Sequence, residues 1–341
     1  MTPPGSVPVV EVHDLHVDIP LPHGKLHAVR GVSLAVGGGE SVGLVGESGS
    51  GKSLTLRALL GLLPRPAKIT SGTVLIDGED VTGLPPHRLR RRLTDTMSMV
   101  FQDSLTALNP VMRIGEQIAE APRRKLGMSR SAARSLAIEL MTKVGIPNPA
   151  LRYAQYPHEM SGGMRQRVCI AIALSTRPRV ILADEPTTAL DVTIQARVLE
   201  VLRRLREEEH VGLLLVSHDL AVVGQTCSRL YVMYAGRIVE SGTLTDLTTT
   251  PRHPYTFALL RSVPDPDRRL ARLLTIPGQP PDLRLPVAGC SFAPRCPFAV
   301  DECRTAEPDL ADLGDRASAC IRADTADQWA RTVSVEKAGL S

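Results

Sequence analysis

Aromatic residues are scarce: four Phe, five Tyr and one Trp make up 3% of the 341 residues. With no interleaving of basic and aromatic side chains either, the chain lacks the platform on which single-stranded nucleic acid stacks. Long apolar runs are missing too. The longest, "VCIAIAL" from Val168 and "VGLLLV" from Val211, fall far short of the roughly 18 to 20 residues that cross a bilayer, so no segment is expected to span a membrane by itself. Nor is there a surplus of one charge. Forty basic residues against 36 acidic leave +4, too mild for wholesale nucleic-acid binding. The one dense basic run, "HRLRRRL" at 87 to 93, reads as a solvated helix face. The opening "MTPPGSVPVVEVHDL" has no basic stretch followed by an apolar core, so no secretory signal is expected and cytosolic residence is the default.

What is present is enough apolar material, 43% of the chain, for one large domain and a smaller attachment. The stretches 9–19 and 26–36, "VVEVHDLHVDI" and "LHAVRGVSLAV", are rich in β-branched residues and read as strands. "SVGLVG" (41–46), "VILAD" (180–184) and "GLLLVS" (212–217) are continuous apolar strands beside helical patterns. Strands apolar on both sides belong in a parallel sheet covered by helices, which makes the fold α/β. Residues 105–165 read as a helical insertion, and after 250 the texture turns to proline and arginine.

The chemistry starts at "GESGSGKS" (46–53), flanked by an apolar strand and the helical run "KSLTLRALLGLL". Gly46, Gly51, Lys52 and Ser53 fit the spacing of a phosphate-binding loop, G-x-x-x-x-G-K-[ST]. Glycines allow the backbone of Gly46, Glu47, Ser48, Gly49, Ser50, Gly51, Lys52, Ser53 and Leu54 to turn its N–H groups toward phosphates. Lys52 would reach the terminal phosphates and Ser53 would ligate Mg²⁺. "VILADEP" ends a strand on two acids: Asp184 for the magnesium shell, Glu185 to activate or position the attacking water. A second helix start, Ser161, Gly162 and Gly163 in "HEMSGGMRQRV", offers another set of free N–H groups. One nucleotide does not need two such sites.

With "FQD", "TTALD" and "SHD" added in order, residues 9–250 resemble the nucleotide-binding subunits of ABC ATPases. The resemblance implies a P-loop NTPase core with an N-terminal antiparallel β subdomain and a helical signature subdomain. It implies that the Ser161–Gly163 loop serves the nucleotide of a second ATPase subunit. By the same resemblance Gln102 touches Mg²⁺ or the lytic water, Asp191 links the two active sites, and His218 contacts the γ-phosphate. Such proteins commonly stack adenine on an aromatic residue, yet "HVDIPLPHGKLHAV" has none. Ile19 or His23 is expected to pack there, with modest discrimination between ATP and GTP.

"FQDSLTALNPVMRIGEQIAE", "HPYTFALLRSVP" and a cysteine-bearing tail resemble, more narrowly, the ATP-binding subunits of dipeptide, oligopeptide and nickel importers. That implies a subunit on the cytoplasmic face of the cell membrane, working with a second ATPase, two integral permease subunits and an extracytoplasmic binding protein, and no nucleic acid. The expected organisation is a nucleotide-binding domain at 8–250, an extension at 251–325 and a tail at 326–341. ABC proteins that act on DNA or ribosomes usually carry a coiled-coil insertion or two ATPase units, and neither is present.

Of six cysteines, Cys169 and Cys227 sit alone and read as small buried hydrophobes. Cys290, Cys296, Cys303 and Cys320 are separated by five, six and sixteen residues, unlike the two-residue gaps of zinc ribbons. A reducing compartment disfavours disulfides, so four thiolates suit Zn²⁺ or a [4Fe–4S] cluster. The resemblance favours the cluster.

Overall fold

The computed structural model describes residues 8–188, 190–262 and 276–325. The expected tail at 326–341 lies outside the described residues.

The chain opens with strands β1 (Val10–Pro20) and β2 (Lys25–Val36), then β3 (Ser41–Val45), helix α1 (Lys52–Leu59), β4 (Lys68–Ile76), β5 (Glu79–Asp80), α2 (Pro86–Thr96) and β6 (Met97–Val100). A helical stretch follows: α3 (Ser104–Ala107), α4 (Ile114–Lys125), α5 (Arg130–Lys143), α6 (Pro149–Arg152) and α7 (Gly162–Leu174). The chain then returns to strands with β7 (Val180–Asp184), α8 (Val192–Glu209), β8 (Gly212–Ser217), α9 (Leu220–Gly224), β9 (Arg229–Tyr234) and β10 (Arg237–Thr243). Last come α10 (Leu244–Thr249), α11 (Pro254–Arg261), β11 (Ala311–Asp312) and β12 (Ala317–Ser318).

Two sheets form. The first is antiparallel in the order β2-β1-β4-β5. Its register shifts between Val12 and Leu15, where Asp14 takes a left-handed φ of 49°. This bulge lets Val12, Leu15 and Val17 all face inward despite their uneven spacing. The second sheet runs β11-β12-β10-β9-β3-β8-β7-β6, with β9, β3, β8, β7 and β6 parallel. Strands β3, β7 and β8 are buried at every residue. Their unbroken apolar runs are what a sheet covered on both faces requires.

One core lies between the two sheets, with Leu15 and Val17 packing in the same cluster as Leu44, Leu56 and Val216. The other joins the helical stretch to the far face: Ile114, Ile118, Met141 and Ile170 share it with Leu202, Leu215 and Tyr255. Cys169 and Cys227 are buried, and burial pushes both thiols up to about 12, as expected of small hydrophobes. The basic run at 87–93 falls on α2, with Arg88, Arg90 and Arg91 exposed.

The C-terminal segment is knitted into this framework. β12 pairs with β10 at Glu240↔Ser318, adding two short strands to the large sheet. Glu240 is fully buried, and its carboxylate accepts from the backbone N–H groups of Arg252 at 2.6 Å and His253 at 3.0 Å. Burial pushes its pKa up to about 7. His253, held neutral by burial with its pKa down to about 3, accepts from Tyr255 N–H through Nδ1 and caps α11. Tyr255 and Phe292 then close on Tyr234 of β9, at ring separations of 4.6 and 5.3 Å.

Candidate functional site

Strand β3 delivers the chain into the glycine loop, and α1 carries it away. The glycines are required by crowding as well as turning. A Cβ on Gly46 would stand 2.1 Å from the Met233 carbonyl oxygen. Gly51, at φ 105°, would place one 2.6 Å from the Ala28 carbonyl oxygen. The loop is thus pressed between β9 and β2, and no side chain fits there.

Inside it, Lys52 is 5% exposed and its Nζ donates to the carbonyls of Gly46 (2.7 Å) and Glu47 (2.8 Å), with Ser50 Oγ at 3.5 Å. Burial lowers its pKa; Glu185, Asp184 and Glu47 oppose that. Ser53 Oγ donates to Asp184 Oδ1 at 2.8 Å, joining α1 to the end of β7. Asp184 is 2% exposed, and burial raises its pKa, against the Ser53 hydrogen bond and the Arg57 charge.

Three side chains converge on one oxygen of Glu185. Gln102 Nε2 donates to Oε2 at 3.2 Å, Thr188 Oγ1 donates to it at 2.8 Å, and His218 Nδ1 lies 3.1 Å away. Glu185 itself holds a left-handed φ of 45°, a conformation costing a non-glycine residue on the order of 1–3 kcal/mol. Its N–H donates to the Val216 carbonyl at 3.0 Å, so β8 fixes that turn. Gln102, Glu185 and His218, separate in sequence, therefore meet at one point. Thr188 was missed; its signal was its place three residues after Glu185, in a turn closed by Thr188 N–H to Glu185 O at 3.2 Å.

These groups line a cleft of about 760 Å³ together with Glu47, Ser48, Gly49, Gly51, Lys52, Ser53 and Leu54. Leu26 and Ala28 of β2, Leu259 of α11 and Leu283 line it too. The expectation for Ile19 or His23 is corrected here: neither lines the cleft. His23 projects from the exposed β1–β2 turn, and Leu26, the cross-strand partner of Ile19, takes the wall instead.

Ser161, Gly162, Gly163 and Asp191 do not join this cleft. Ser161 caps α7 and accepts from Met164 N–H at 3.4 Å, and a Cβ on Gly163 would stand 2.4 Å from Ile194 Cγ2. Asp191 caps α8, accepting from Ile194 N–H at 2.9 Å. Both caps are exposed.

The four C-terminal cysteines share one small pocket, with a volume of about 20 Å³, beside His253 and Phe292. Among the described residues no group of three or more His, Cys, Asp or Glu side chains is arranged, as it stands, to hold an ion. Burial raises the thiol pKa of Cys290 and pushes Cys296 up to about 11 and Cys320 up to about 12.

A phosphate loop, paired strand-end acids and a helical subdomain with a second exposed helix start define an ATP-binding cassette. A solved dimeric cassette in a post-hydrolysis state, bound to ADP and phosphate, aligns with TM-score 0.62 and 29% identity, covering 69% of this chain and 98% of that one. Residues 29–188 match the ABC transporter family model, and residues 239–303 match the oligopeptide/dipeptide transporter, C-terminal region. The dipeptide transport ATP-binding protein DppD of Bacillus subtilis is 44% identical over 98% of each chain. The oligopeptide transport ATP-binding protein OppD of Mycobacterium tuberculosis is 47% identical over 93% of this chain, which spans about half, 52%, of that protein. The chain belongs to the oligopeptide/dipeptide family of ABC transporter ATP-binding proteins.

If a base packs on the aliphatic side chains of Leu26, Ala28, Leu259 and Leu283, they supply area without hydrogen-bond readout. ATP and GTP are expected to bind within about tenfold of each other, measured by displacement of a fluorescent nucleotide; a preference of several hundredfold would contradict it.

Proposed function

We propose that this chain is the ATP-hydrolysing subunit of an ABC importer for peptides, acting at the cytoplasmic face of the cell membrane. The observation that carries the enzymatic part is the convergence of Gln102, Thr188 and His218 on Glu185 beside the phosphate loop. The match of residues 239–303 to the oligopeptide/dipeptide C-terminal region supports the substrate class.

In this reading the loop N–H groups and Lys52 bind the triphosphate, and Glu185 orients the attacking water and accepts its proton. Gln102, Thr188 and His218 hold the carboxylate in place, and His218 also faces the γ-phosphate. Mg²⁺ would be held by Ser53, Asp184 and Gln102, and the Ser53–Asp184 contact fits such a pair of oxygen donors. Bound there, the ion neutralises phosphate charge. Ser161, Gly162 and Gly163 serve the nucleotide of the opposing subunit, and Asp191 borders that junction. Binding would close two ATPase subunits on each other, and release of products would reopen them.

The proposed organisation is a nucleotide-binding domain at 8–250 with an extension at 251–325. The partners are a second ATPase, by preference a paralogue, two permease subunits and an extracytoplasmic binding protein. Exposed Phe101, Leu105 and Val111 flank Gln102 and the start of the helical stretch, apolar surface suited to a permease contact. Among the described residues no helix is long and apolar enough to cross a membrane.

For the cysteine pocket we propose a [4Fe–4S] cluster, with Zn²⁺ as the alternative, held by Cys290, Cys296, Cys303 and Cys320; four thiols lining one pocket are the support. Metal analysis of anaerobically purified protein tests it. Four iron per chain with a visible charge-transfer band supports the cluster, one zinc per colourless chain selects the alternative, and protein with neither contradicts both.

Glu185→Gln keeps the shape of the side chain and removes the base. It is expected to bind MgATP, lose at least about a hundredfold in turnover and accumulate the closed dimer on size-exclusion chromatography. Full turnover would refute the assignment.

A further inference from the structure

Glu47 is the one carboxylate within the phosphate loop, "GESGSGKS", and it lines the cleft. A negative charge at that position opposes the binding of a polyanion. In the structure it is not left bare. Arg295, from the C-terminal extension, donates Nη1 to Glu47 Oε2 at 2.7 Å and Nη2 to Oε1 at 2.9 Å. This is the two-pronged guanidinium–carboxylate pairing.

The arginine is held as firmly as the glutamate. Its side chain is 4% exposed, its Nε donates to the Pro277 carbonyl at 2.9 Å, and Nη2 donates to the Ile276 carbonyl at 3.1 Å. Nη1 also reaches Tyr234 Oη at 3.3 Å. From the same side of the molecule, Tyr255 Oη accepts from the Glu47 N–H at 2.8 Å. Backbone and side chain of one loop residue are therefore both gripped by residues more than 200 positions away, 208 and 248 respectively.

An ion pair in such a place could merely fasten the extension to the core. Its location argues for more, because the carboxylate it cancels lies in the wall of the cleft, beside Ser48 and Gly49. We propose that Arg295 is a positioning residue of the nucleotide site: by pairing with Glu47 it removes the loop's own negative charge and makes the C-terminal extension part of the ATP site of the same chain. The inference rests on reading the cleft as a nucleotide site. It also places the cysteine pocket one residue from that grip, at Cys296.

The test uses the full chain with MgATP and MgADP, read by nucleotide displacement, with thermal unfolding in parallel. Wild type must bind ATP; if it does not, the nucleotide reading fails and not this one. Arg295→Ala is expected to weaken ATP on the order of tenfold, and ADP less, because repulsion scales with phosphate charge. Adding Glu47→Gln to Arg295→Ala should restore most of the lost affinity without restoring the unfolding temperature. Should Arg295→Ala fail to fold, Glu47→Gln alone carries the test. It leaves the guanidinium unpaired beside the cleft and is expected to bind ATP more tightly than wild type. Arg295→Ala binding ATP as wild type does, a double variant as weak as Arg295→Ala, or weaker ATP binding by Glu47→Gln alone would each overturn the proposal.

Discussion

The arrangement depends on a buried ammonium. Lys52 is held by main-chain carbonyls and a hydroxyl, and among the described residues no carboxylate lies within ion-pair distance of it. Such a cation is stable only where dipoles converge on it, and it attracts whatever anion can approach. That constraint explains the crowding around it. Gly46 and Gly51 must be glycines because β9 and β2 press the loop so closely that a methyl group would meet a carbonyl oxygen. The parallel sheet, the loop and the first helix thus form one device for presenting positive potential to a polyanion.

Around that device the acids are sorted by environment. Asp184 is buried and bonded to Ser53, which suits a fixed oxygen donor. Glu185, one residue on, leaves the strand through a left-handed turn and gathers three polar side chains around one oxygen. Two adjacent carboxylates acquire different surroundings because one ends β7 and the next begins a turn. The exposed helix starts at Ser161 and Asp191 lie apart from this cleft. In the proposed function it is a second subunit that would bring them to a nucleotide.

Much of this was legible in the chain. The apolar runs 180–184 and 212–217 coincide with β7 and β8, because strands buried on both faces carry no polar interruption. The phosphate loop and the paired acids are local patterns with a mechanical cause. β9 and β10 were not read. β9 begins at Arg229, a charge that hides a buried strand until its partners Glu40 and Tyr231 are seen. Leu283, Tyr255 and Arg295 were missed for a related reason: each reaches the cleft or its loop from a distant part of the sequence, which no local periodicity records. Ile19 and His23 do not line the cleft, whereas Leu259 and Leu283, from beyond residue 250, do. The four cysteines of the extension, spread over thirty positions, do share a pocket.

The central claim is that one nucleotide is clasped between two polypeptides, by Lys52 and Ser53 of one and by Ser161, Gly162 and Gly163 of the other. A structure of the assembled transporter trapped with a non-hydrolysable ATP analogue tests this directly. The account predicts the γ-phosphate within hydrogen-bond distance of the Ser161–Gly163 segment of the opposing subunit. A triphosphate contacted by a single chain, with that segment facing solvent, would contradict it.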